Sequence, residues 1–204
     1  MTSELKILVV YYSVKGATKA LARAIGRGIE MTPGCEAVLR TAPPVAAQSG
    51  EAMPAVPDTG APYASKDDLR DCAGLALGSP TRFGAPGAPI QHFLDGLAAE
   101  WVSGLLVDKP AAVFTSSNSM HGGQEATLLS LAVPLMHHGM LIAGIPYTVP
   151  ELRKTMSGGS PYGASHVERT SEDGLTQDEK TLAEALGRRL GRLARRVHET
   201  EAKL

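Results

Sequence analysis

The chain has 204 residues, enough for one good hydrophobic core and rather short for two full domains. Its 43% hydrophobic and 20% charged residues are ordinary for a soluble globular protein, and a net charge of −1 leaves no electrostatic footprint for nucleic acid or an anionic membrane. Cys35 and Cys72 are too few for a disulfide scaffold and form no C-x-x-C pair, so they read as buried free thiols of a reducing compartment.

Lys6–Tyr12 is a continuous apolar run rich in β-branched and aromatic residues, the pattern of a central parallel strand. It is too short to span a bilayer, and no basic region with a cleavage site precedes it, so the cytoplasm is the default compartment. Ser13–Thr18 is a polar turn, and Lys19 to Met31 carries apolar residues at helical spacing until Pro33-Gly34 ends it. Cys35–Arg40 reads as a second strand. Thr41 to Ser65 is crowded with Pro, Ala and Gly and reads as a long inserted loop at about 41–65.

Lys66–Asp71 is a short helix, Ala73–Leu77 a third strand, and Ala88–Leu97 an amphipathic helix. Ala111–Phe114 is a fourth strand, followed by the polar loop Thr115–Gly123 and the helix Gln124–His138, where Pro134 is expected to produce a kink. Met140–Ile145 is a fifth strand, and Pro146 to Leu175 reads as a loop. Thr176–Lys203 is a final helix with a capping box between Thr176 and Glu179. Arg188, Arg189, Arg192, Arg195 and Arg196 form its solvated face. Alternating strands and helices favour one domain over residues 1–204 with a doubly wound parallel sheet.

Three polar loops each follow a strand: Ser13–Thr18, Ser79–Gly84 and Thr115–Gly123. In such a sheet these loops gather at the carboxyl ends of the strands, where ligands bind. Ser13, Val14, Lys15, Gly16, Ala17 and Thr18 precede a helix whose N-terminal N–H groups suit a phosphate. Neither a dinucleotide fingerprint nor a Walker loop is present, which points to a monophosphate. An ordinary capped turn explains the same residues.

Pro80, Thr81, Arg82, Phe83 and Gly84 offer backbone donors and an aromatic edge to a planar ligand, although Phe83 can equally pack under its loop. Ser116, Ser117, Asn118, Ser119, Met120, His121 and Gly122 suit polyol hydroxyls or ring heteroatoms, or a plain solvated connection. His137 and His138 are adjacent and point apart on a helix, so they are no metal pair, and no zinc-binding spacing occurs.

Five motifs in order then resemble one family. YYS-x-x-G-x-T, G-S-P-T-R-F-G, S-x-H-G-G-Q-E, H-H-G-M and G-G-S-P-Y-G-A-S are similar to those of the WrbA-type NAD(P)H:quinone oxidoreductases, over nearly the whole chain. The resemblance implies a flavodoxin-like α/β fold, a five-stranded parallel sheet of order 2-1-3-4-5 with helices on both faces, and FMN as cofactor. It implies two-electron, ping-pong transfer from NADH or NADPH to a quinone in a homotetramer, a dimer of dimers.

By that resemblance Ser13–Thr18 hold the FMN phosphate, Pro80–Gly84 line its ring, and Ser116–Gly122 contact ring and ribityl. His137 reaches a neighbouring subunit's flavin site as a proton donor, and Trp101 walls the substrate pocket. Lys15 stands where some members carry a Tyr that helps seat the nicotinamide. The other reading is a flavodoxin-type electron carrier; such carriers tend to be markedly acidic, whereas this chain is near neutral.

Overall fold

Five successive buried residues, Ile7–Tyr11, give the first strand no solvent face, and a strand covered on both sides belongs inside a parallel sheet. The computed structural model describes residues 4–45, 57, 60–168 and 174–201. Residues 46–56 and 58–59, most of the insertion expected at 41–65, lie outside the described residues, as does Lys203 at the end of the last helix.

The elements are β1 (Leu5–Tyr11), α1 (Ala17–Glu30), β2 (Cys35–Thr41), α2 (Lys66–Asp71), β3 (Gly74–Arg82), β4 (Ala85–Pro86) and α3 (Ala88–Asp95). They continue with α4 (Ala98–Val102), β5 (Pro110–Ser117), α5 (Gln124–His137), β6 (Leu141–Ile142), α6 (Glu151–Lys154), β7 (Ala164–Val167) and α7 (Gln177–Glu201). The strand order is β2-β1-β3-β5-β6, with all of these pairs parallel.

Alternate residues of each strand feed two cores, as the pleat requires. Ile7 and Val9 pack with Leu21, Ile25 and Ile29 of α1 and Leu182, Leu186 and Leu190 of α7. Leu8 and Val10 join Leu75 and Leu77 on the other face, under Ile90 of α3 and Leu128, Leu131 and Leu135 of α5. Cys35 and Cys72 are free and buried, one in each core, as their apolar neighbours foretold.

The fifth strand position differs from the sequence expectation. It is filled by two short strands: β6 pairs with Pro110–Ala111 at the start of β5, and β7 pairs with Phe114–Ser117 at its end. The span read as one strand, Met140–Ile145, therefore contributes only Leu141–Ile142, while the span read as a loop, Pro146–Leu175, contains α6 and β7. Ala-Ser-His-Val is too short and too mixed in polarity to show a period-2 signal. The long interval between β6 and β7 is tied back by the Ile145 amide, which donates to the Pro161 carbonyl at 3.0 Å.

Candidate functional site

The first loop is held open by one serine. Ser13 Oγ accepts from the amides of Gly16 (3.1 Å) and Lys19 (3.3 Å). Gly16, at the N-cap of α1, has φ +101°, a left-handed conformation that favours glycine. The amides of Ala17 and Thr18 take no acceptor among the described residues. Free donors at the first turn of a long helix make a seat for an anion.

The second loop is tighter than a polar connection. β3 continues through Arg82, turns at Phe83-Gly84 and pairs antiparallel with β4, Arg82 opposite Ala85. Phe83 (φ +54°) and Gly84 (φ +82°) are both left-handed, the signature of a type I′ hairpin. A phenylalanine pays for that geometry in strain, and its ring is fully exposed rather than packed under the loop. Thr127 of α5 donates to Thr81 Oγ1 at 2.8 Å, fixing the hairpin's root.

The third loop is bonded to itself and to the first, and packs closely against the second. Ser117 Oγ and Gln124 Nε2 each donate to the Ser119 carbonyl at 2.9 Å. A Cβ on Gly123 would lie 2.8 Å from Gly84 Cα, so the second and third loops meet backbone to backbone. Thr18 and Ser116 share a 2.8 Å hydroxyl–hydroxyl bond that closes the third loop onto the first.

These three loops line one cleft of about 470 Å³ at the carboxyl ends of β1, β3 and β5. Ser13, Val14, Lys15, Ala17, Thr18, Pro80, Thr81, Arg82, Phe83, Ser116, Ser117, Asn118, Ser119 and Gly122 all face it. Gly16 and Gly84 shape its walls through their backbone without lining it; Met120 and His121 also stand outside the lining. Trp101 and His137 are elsewhere in the chain. They share a separate hollow of about 440 Å³ between α3–α4 and α5, where Trp101 Nε1 donates to the His137 carbonyl at 2.9 Å.

One cleft residue escaped the sequence reading. Glu168 follows β7 and faces Lys15, with 3.8 Å between carboxylate and ammonium. It lies within the span Pro146–Leu175, which reads as loop, just beyond the G-G-S-P-Y-G-A-S motif. Its placement depends on a buried anchor. Glu179 accepts from the amides of Gly158 (2.9 Å), Val167 (3.1 Å) and Thr176 (2.8 Å), and its Oε2 lies 2.8 Å from His166 Nδ1. The return bond from the Glu179 amide to Thr176 Oγ1 (3.3 Å) completes the expected capping box. Burial pushes the Glu179 carboxyl up, but the bonds from His166 and the Thr176 amide outweigh it and hold the group below the ordinary glutamate value.

The chain is similar to known proteins along most of its length. The family described as NADPH-dependent FMN reductase matches residues 5–151. A Syntrophobacter fumaroxidans protein named NAD(P)H dehydrogenase (quinone) is 38% identical over 208 residues, covering 95% of this chain and 98% of its own. A Geotalea daltonii protein of the same name is 40% identical over 198 residues, covering 93% and 97%. A solved flavodoxin, WrbA-like protein from Agrobacterium tumefaciens matches with a TM-score of 0.64 at 23% identity, covering 95% of this chain and 99% of that one. An archaeal flavodoxin matches at 0.63 and 21% identity, covering 94% and 99%. The matched segment contains the three loops and the strands β1 to β6, so the chain belongs to the NADPH-dependent FMN reductase family: it is an oxidoreductase of flavodoxin-like fold whose cofactor is FMN.

Proposed function

We propose that this protein is an NAD(P)H:quinone oxidoreductase working by a ping-pong cycle in the cytoplasm. The observation that carries the reading is one cleft on which three loops rich in hydroxyls and amides converge. The residues present fit a flavin mononucleotide. The Ala17 and Thr18 amides and the Ser13 and Thr18 hydroxyls suit its phosphate, Asn118 and Ser119 its polyol, and Thr81, Arg82 and Phe83 its flat ring. When bound, FMN supplies hydride acceptance and two-electron donation, which no side chain of this cleft offers.

The chain's own part is to bind, orient and shield. Phe83, held exposed at a strained turn, gives a planar partner an apolar surface beside the Arg82 cation. The Gly123–Gly84 contact and the Thr127–Thr81 bond keep that turn fixed against α5. One opening serves both a nicotinamide, NADH or NADPH, and a quinone, so the first must leave before the second enters.

His137 and Trp101 are assigned to a neighbouring subunit's cleft in a homotetramer, with the His137 imidazole giving a proton to the quinone oxygen and Trp101 walling the substrate pocket. In support of that assignment, both are solvent-accessible at a hollow apart from their own chain's loops. Lys15 is assigned to the nicotinamide as well as to the phosphate end.

Initial rates with NADH or NADPH varied at several benzoquinone concentrations test this reading. Parallel double-reciprocal lines are expected. Lines converging to the left of the axis would mean that both substrates are bound together, and the single shared opening would then be wrong.

A further inference from the structure

We propose that Glu168 is a specificity-determining residue of the flavin cleft, competing with the cofactor's phosphate for Lys15 and so limiting the preference for a phosphorylated flavin over an unphosphorylated one. The inference rests on the FMN reading above. Its basis is charge placed where a phosphate is to sit. Among the described residues lining the cleft, the charged side chains are Lys15, Arg82 and Glu168, and the one carboxylate stands 3.8 Å from the Lys15 ammonium.

The location follows from the register. Ser116 lies opposite His166 and Ser117 opposite Val167 across β5 and β7, so Glu168 comes next along the same edge. Ser116 is also bonded to Thr18 in the first turn of α1, which carries the free amides. Glu168 is therefore at the anion end of the cleft rather than at the Phe83 turn. It is not free to drift away, because the Val167 amide beside it is bonded to buried Glu179 at 3.1 Å.

Lys15 and Glu168 keep 71% and 36% of their side-chain surface in water, so their pair is weak and readily opened by an incoming anion. Lys15 then turns to the phosphate while Glu168 is left beside a group carrying close to two negative charges. The carboxylate thus opposes FMN and is indifferent to riboflavin, which has the same ring and polyol without the phosphate.

The test is equilibrium binding of FMN and of riboflavin to the flavin-stripped full chain, read by quenching of flavin fluorescence. Glu168→Gln is expected to tighten FMN about tenfold in a low-salt buffer, to leave riboflavin within about twofold, and to lose most of its effect at molar salt. Lys15→Met is expected to weaken FMN and spare riboflavin. An unchanged FMN-to-riboflavin ratio in Glu168→Gln overturns the inference while leaving the cofactor reading intact. Equal shifts for both flavins also overturn it, since they mark a change in cleft shape. Failure of the wild-type chain to bind either flavin overturns both.

Discussion

Thr18 and Ser116, 98 positions apart, join their hydroxyls at 2.8 Å in a buried bond between the first turn of α1 and the end of β5. That bond ties the end of the cleft proposed for the phosphate to the loop proposed for the polyol. Thr18→Val removes one partner and keeps the shape, leaving the Ser116 hydroxyl without its mate. The expected cost is about 1–2 kcal/mol of stability in urea unfolding, with weaker FMN binding. Stability lost with FMN affinity unchanged would separate this bond from the cleft.

Gly16→Ala is expected to destabilise by about 1–2 kcal/mol, because φ of +101° is a left-handed conformation that costs an L-residue about that much. Crowding is not the reason, since a Cβ there meets nothing within 4 Å. Gly34 is the control: it has φ of +77°, equally open surroundings, and a place at the amino ends of β1 and β2, away from the cleft. Gly34→Ala should lower the melting temperature comparably and leave FMN affinity alone, whereas Gly16→Ala should weaken both.

Phe83→Asn should move stability and activity in opposite directions. Asn-Gly is the favoured pair for a type I′ hairpin, so relief of the φ +54° strain is expected to stabilise by about 1 kcal/mol. Loss of the exposed ring should lower quinone turnover per bound flavin. A variant that is both more stable and fully active would show that the ring has no role at the cleft.

Glu179 should carry part of the pH dependence of folding. Its carboxyl is held below the ordinary value of 4.5 in the folded chain: burial works against this, and the bonds from His166 and the Thr176 amide prevail. A depressed folded value means that the stabilisation is complete above the unfolded value and is lost as pH falls through the folded one. Urea midpoints measured from pH 7 downward should therefore decline more steeply below about pH 4.5 in wild type than in Glu179→Gln. At neutral pH the variant should be less stable by about 2–3 kcal/mol, because one amide oxygen replaces a carboxylate that accepts three backbone bonds and faces His166.

Much of the fold was legible because its strands are buried on both faces. Ile7–Tyr11 and Ala111–Phe114 are unbroken apolar runs; the polar segment after the first is a turn as expected, whereas β5 runs on through Thr115–Ser117, the start of the segment expected to be loop, because β7 pairs with it there. The cleft followed from those loops together with the rule for parallel sheets. What stayed hidden is built from short pieces. β7 is four residues at the sheet edge, fixed by its pairing with β5 and by Glu179 of α7 rather than by its own pattern, and Glu168 was hidden with it. The hairpin at Phe83 was hidden for a different reason, since Phe is an unusual residue for a left-handed turn and gives no turn signal. Trp101 and His137 were singled out by resemblance, and their mutual bond through the His137 carbonyl involves a backbone group that no side-chain pattern reveals.

The central claim is tested most directly by an anaerobic absorbance titration of the purified chain with FMN, followed by NADH or NADPH and then benzoquinone. The account predicts saturation at one FMN per chain, bleaching of the yellow colour by the nicotinamide within a catalytic turnover, and its return on adding the quinone. A folded protein that takes up no FMN, or one that binds it and stays yellow with both nicotinamides, would contradict it.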